Sequence, residues 1–187
     1  MLAAMKKQLP NILTYSRILV IPAIIPVFLY MDGGVSRWLC STLFLYAGIT
    51  DFFDGYLARA WHAHSKLGRF LDPIADKLLV ATALMLLVGA GRADILPALA
   101  ILCREILVSG LREFLADLRI SVPVSTLAKY KTTAQMVAIY LLLLGKSAPL
   151  GLPAEFLGNM LLWAAAILTL VTGYAYLKTG LKHLAEN

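Results

Sequence analysis

The chain has 187 residues, 60% of them hydrophobic, and a mean hydropathy of +0.77, which is more apolar surface than one soluble core of this size can hide. Its net charge of +6 comes from Lys and Arg residues beside apolar segments, with no basic stripe and no interleaved aromatics, so anionic lipid or substrate explains the balance and nucleic acid does not. Cys40 and Cys103 have neither CxxC spacing nor histidines to complete a zinc site and are read as small core residues.

In chain order, Leu2, Met5 and Leu9 share one helical side with Lys6 and Lys7 beside them, which predicts a short helix lying on an anionic membrane face. Six membrane-spanning helices are expected after it, at 12–30, 38–60, 70–90, 94–114, 129–146 and 155–178, since a span needs roughly 20 apolar residues. Asp32-Gly33-Gly34, Gly89 to Asp94 and Pro149 to Pro153 mark turns between them. Pro22 and Pro26 predict a bend in the first span and no break, because neighbouring helices re-satisfy the freed carbonyls.

An even number of spans puts both termini on one side. With that side cytoplasmic, fourteen of the Lys and Arg residues fall at cytoplasmic ends and three, Arg37, Arg92 and Lys146, at the opposite ends. The positive-inside rule then fixes the orientation. With no internal repeat and no linker stretch, residues 1–187 are expected to form a single all-α integral membrane domain.

The densest chemistry lies in the order Asp51-x2-Asp54-Gly55-x2-Ala58-Arg59-x8-Gly68-x3-Asp72-x3-Asp76. Asp51 and Asp54 are three apart at the end of the second predicted span, and Asp72 and Asp76 four apart at the start of the third, so each pair faces one way. A short connection folds the two helix tips together at the cytoplasmic side. Carboxylates sharing one site repel, and a divalent cation relieves the conflict. Hard oxygen donors favour Mg²⁺, Mn²⁺ or Ca²⁺ over zinc, and paired ions bridged by aspartates suit the polarising of a phosphoryl group. Gly55 and Gly68 allow a phosphate near the backbone, and Arg59 offers a planar donor fork. His62, His64 and His183 are too scattered to be read as ligands.

Arg104 lies deep in the fourth predicted span, where it should pair with Glu105, with another helix or with substrate. With Arg112, Lys129 and Lys131 it lines the side that carries the aspartates, a cradle that a small dianionic acceptor needs beside a carboxylate cluster. Tyr15, Tyr30, Trp38 and Tyr130 are read as interfacial anchors, while Tyr174, Tyr176 and Lys178 are candidates to close the acceptor pocket.

The eight fixed positions from Asp51 to Asp76 resemble the signature of the CDP-alcohol phosphotransferases, membrane enzymes of phospholipid synthesis. The resemblance implies a six-helix core, usually dimeric, in a membrane that is here a bacterial inner membrane. It implies Asp51, Asp54 and Asp72 as metal ligands, Asp76 as ligand and general base, and Mg²⁺ or Mn²⁺ as cofactor, two per site. Gly55, Ala58, Arg59, Ser65 and Gly68, together with Asn11 and Thr14, would bind the lipid donor, CDP-diacylglycerol.

Three runs are similar to the family members whose acceptor is sn-glycerol 3-phosphate: Arg104 to Glu113, Lys129-x-Lys131-Thr132-x2-Gln135, and Pro10-Asn11-x-Leu13-Thr14-x2-Arg17. Ala128 departs from the glycine often found there. The expected reaction is transfer of a phosphatidyl group with release of CMP. Serine, inositol phosphate and phosphatidylglycerol are the rival acceptors. A cation-coupled transporter is the rival from another class, opposed by acids crowded on one face and by the lack of inverted repeats.

Overall fold

The computed structural model describes the backbone of residues 2–31, 33–60, 66–118 and 126–185, and the side chains of 13–31, 33–51, 53, 70–116, 118, 127, 130–178 and 180. Six long helices make up the described chain: α1 (Leu2–Tyr30), α2 (Gly33–Ala60), α3 (Lys66–Gly89), α4 (Ile95–Asp117), α5 (Thr126–Leu144) and α6 (Ala154–Ala185). Two single 3-10 turns, Gly145–Ser147 and Pro149–Gly151, join α5 to α6, and no strand occurs among the described residues.

Two boundaries differ from the sequence expectation. Residues 2–9 are not a separate interfacial helix; they are the first turns of α1, which also runs unbroken past Pro22 and Pro26. The apolar stretch and the basic turn before it share helix-forming residues, so the helix has no reason to stop at Leu9. The second helix begins at Gly33 and not near residue 38, because Gly33 reverses the chain in one residue at φ +78°.

α1 packs along α2 and α3, α5 lies between α2 and α6, and α4 rests on α6. The buried core joins Ile24 of α1, Phe44 and Ala47 of α2, Leu84 and Leu87 of α3, Ile101 of α4, Ile139 and Leu142 of α5, and Leu162 and Ala165 of α6. Small residues bring the helix axes close. The tightest approach is at Gly158 of α6, where a β-carbon would lie 2.7 Å from Leu142 Cγ of α5.

Large apolar side chains also cover the outside: Leu19, Met85, Ile106 and Ile167 are each more than half exposed. Such a surface is at home in lipid and a liability in water. Among the described residues, two helices are long and apolar enough to cross a membrane by length and composition, over Leu13–Tyr30 and Ala154–Lys178. The charges of the candidate site interrupt the apolar run of others, for example Asp72, Asp76 and Lys77 in α3 and Arg104, Glu105, Arg112 and Glu113 in α4.

At the end of the bundle remote from the aspartates, α6 holds the turn between α3 and α4. Asn159 Nδ2 donates to the Arg92 carbonyl at 3.0 Å and its Oδ1 accepts from the Asp94 amide at 3.3 Å. Trp163 Nε1 donates to Asp94 Oδ2 at 2.8 Å.

Candidate active site

Thr14 and Arg17, three positions apart in α1, face the tips of α2 and α3. Arg17 is completely buried, and its Nη1 donates to Asp51 Oδ1 at 2.6 Å and to Asp76 Oδ1 at 2.5 Å. Thr14 Oγ1 donates to Asp72 Oδ1 at 2.7 Å. Three of the four predicted aspartates are thus gathered by two side chains of α1. A buried guanidinium is tolerated only when its charge is matched, and here two carboxylates match it.

The carboxylates of Asp51 and Asp76 remain 43% and 44% exposed, open to the space beside them. Among the described residues, no three His, Cys, Asp or Glu side chains converge as a ready metal cage. The side chains of Asp54, Gly55, Ala58, Arg59, Gly68, Asn11 and Lys129, and Ser65 altogether, lie outside the described residues. The donor set nevertheless suits a hard divalent cation. Asp51, Asp72 and Asp76 offer carboxylate oxygen only, and Arg17 lies where Asp51 and Asp76 demand positive charge.

Asp51 and Asp76 open on a cavity of about 920 Å³. Its polar wall continues through Lys77, Arg104, Glu105, Ser109 and Arg112, and its apolar wall is built from Phe44, Leu45, Ile49 and Phe53 of α2 with Val137 and Tyr140 of α5. One chamber therefore offers anions, cations and hydrocarbon-like surface side by side, the combination an amphiphilic phosphate ester requires.

On the cationic side, Arg104 Nη1 donates to Glu105 Oε1 at 3.2 Å and Nη2 donates to Thr172 Oγ1 at 3.4 Å, the intrahelical and interhelical partners its depth calls for. Glu105 Oε1 also accepts from Lys131 Nζ, and Lys77 Nζ donates to Ser109 Oγ. Lys131 is only 3% exposed, and it stands behind the cavity wall, turned to Glu105. Arg112 is exposed in the cavity with its guanidinium 5.7 Å from the Tyr176 ring centre. The central place of Arg17 and the double pairing of Glu105 were not read from the sequence. The available signal for Arg17 was a cation inside an apolar helix, one turn after a hydroxyl residue.

The family model for CDP-alcohol phosphatidyltransferase matches residues 7–171. A protein of Rickettsia felis named CDP-diacylglycerol--glycerol-3-phosphate 3-phosphatidyltransferase is 49% identical over 177 residues, covering 95% of this chain and 97% of the relative. Relatives with the same name from Cereibacter sphaeroides and Shigella flexneri are 41% and 40% identical, each aligned over 97% of this chain and over 99% and 100% of their own length. With most of its length matched by that model and by these relatives, the chain belongs to the CDP-alcohol phosphatidyltransferase family.

Proposed function

We propose that this chain transfers the phosphatidyl group of CDP-diacylglycerol to sn-glycerol 3-phosphate, forming phosphatidylglycerophosphate and CMP. The observation that carries this reading is the single cavity joining Asp51 and Asp76 to Arg104 and Arg112 along an apolar wall. The relatives named for that reaction support the choice of acceptor.

The family generally depends on a divalent cation. Held by Asp51, Asp54, Asp72 and Asp76, Mg²⁺ or Mn²⁺, two per site, would neutralise pyrophosphate oxygens and the charge that develops on the leaving CMP. The acyl chains lie against Phe44, Leu45 and Val137, and Arg104 and Arg112 hold the acceptor phosphate by charge-assisted hydrogen bonds. Asp76 takes the proton of the acceptor's 1-hydroxyl. That oxygen bonds to the lipid-side phosphorus in line, the bond from this phosphorus to the bridging oxygen breaks, and CMP leaves with the bridging oxygen. Arg59 and the backbone at Gly55 and Gly68 meet the CDP phosphates, with Ala58 packing beside them and Ser65, Asn11 and Thr14 completing the donor site. Lys129 adds to the cationic field, and Lys131 acts through Glu105. Arg17 keeps Asp51 and Asp76 at one point.

In the membrane we place six spans in a single domain, with both termini and the carboxylates on the cytoplasmic face of a bacterial inner membrane, and a homodimer as the working unit. The test is incubation of the purified protein with CDP-diacylglycerol, Mg²⁺ or Mn²⁺, and sn-glycerol 3-phosphate, serine, inositol phosphate or phosphatidylglycerol. Phosphatidylglycerophosphate with equimolar CMP is expected. A different lipid product overturns the acceptor, and cation flux in sealed vesicles without CMP release overturns the enzyme.

A further inference from the structure

We infer that α6 is the acceptor-positioning element of the site, with Gly173 as the residue that lets Arg104 occupy its place in the cavity. The inference rests on the acceptor reading above. Three consecutive features of α6 meet the two cavity arginines of α4. Thr172 Oγ1 accepts from Arg104 Nη2 at 3.4 Å, and its own hydroxyl donates back to the Leu168 carbonyl at 2.7 Å, so a lone pair is left for the guanidinium. One residue on, a β-carbon at Gly173 would lie 2.8 Å from Arg104 Cγ and 3.4 Å from its Nε. One turn beyond Thr172, the Tyr176 ring lies beside Arg112.

Cγ is near the root of the arginine side chain, so a clash there is not relieved by swinging the guanidinium alone. Any side chain at position 173 lifts the whole of Arg104 away from α6. That movement breaks its bond to Thr172 and disturbs the pair with Glu105, which also holds Lys131. Arg104 Nη1 and Nη2 each carry two N–H groups and direct one, to Glu105 and to Thr172, which leaves donor capacity on a guanidinium that lines the cavity. A small alcohol phosphate, with acceptor oxygens on several sides, is the ligand class such a fork recognises. Gly173, Thr172 and Tyr176 touch the arginines and not the reacting atoms, so their role is to position.

The experiment measures KM for sn-glycerol 3-phosphate and for CDP-diacylglycerol, with kcat and Tm, in the detergent-purified wild type, Gly173→Ala, Thr172→Val and Gly158→Ala. Gly173→Ala is expected to raise the acceptor KM about tenfold and Thr172→Val about threefold, the scale of one weakened charge-assisted hydrogen bond, while the donor KM stays within about twofold. Gly158→Ala crowds Leu142 away from the cavity and is expected to lower Tm while leaving the ratio of the two KM values unchanged. A folded Gly173→Ala protein with wild-type acceptor KM, or one in which both KM values rise together, overturns the inference. If Gly173→Ala does not fold, Thr172→Val decides by the same ratio. A wild type that makes no lipid from sn-glycerol 3-phosphate overturns the proposed function itself, and this inference with it.

Discussion

Replacing Arg17 with methionine removes the cation that Asp51 and Asp76 share while keeping a long, unbranched side chain in the same space. Both carboxylates bond to one nitrogen, at 2.6 and 2.5 Å. Their oxygens therefore lie within about 5 Å of each other, where two unit charges repel by about 3 kcal/mol at an effective dielectric near 20. Breaking a fully buried ion pair costs about 3–5 kcal/mol, and the partial exposure of both aspartates puts this case at the low end. A loss of about 3 kcal/mol corresponds to a fall in Tm of roughly 6–12 °C for a chain of this length. Thermal unfolding in detergent with EDTA, followed by tryptophan fluorescence, reads this directly. Adding Mn²⁺ should recover more of the loss in the methionine variant than it adds to the wild type, because the ion then supplies the missing charge. A methionine variant that melts within 2 °C of wild type in EDTA, with an unaltered response to Mn²⁺, would refute the idea that Arg17 holds the carboxylates together (the threshold being about one kcal/mol or less).

Asp76→Asn keeps the size of the side chain and removes its ability to take a proton, so CMP release should fall by about a hundredfold or more while Mn²⁺ still shifts the melting temperature; normal lipid product would remove Asp76 from the role of base. Glu105→Ala leaves Lys131 buried without its counter-charge and should destabilise the fold by about 3 kcal/mol. Arg112→Ala, on an exposed cation, should leave stability within about 0.5 kcal/mol and raise the acceptor KM; equal melting curves for these two variants would contradict the assigned pairings. Thr14→Val deletes the hydrogen bond to Asp72 and should cost about 1 kcal/mol in thermal unfolding.

The sequence made the helices and the meeting of two helix tips legible, because runs of apolar residues interrupted by spaced aspartates leave few other ways to bury hydrocarbon and still expose acid. Arg104 was legible too, since an arginine deep in an apolar helix must find partners, and Glu105 and Thr172 supply them. Arg17 was not. Counted as one more cation near a membrane face, it looked like an orienting charge, and only its position against α2 and α3 makes it the hub of the cluster. The partner of Lys131 was hidden for a related reason: spacing places a lysine among the other cations, but does not show that its ammonium meets a glutamate on a neighbouring helix. The contribution of α6 was hidden because a glycine and a threonine in a long apolar helix carry no signal until the arginine beside them is seen.

The fastening of α6 at the remote end, through Asn159 and Trp163 to the turn before α4, bears on how a lipid gets in. The two helices are tied at the cavity end as well, by the Arg104–Thr172 hydrogen bond and by Gly180 of α6, which sits close against Leu111 and Leu115 of α4. With α4 and α6 fastened at both ends, a bulky two-tailed guest meets its least resistance among the other helices that line the cavity, α2, α3 and α5.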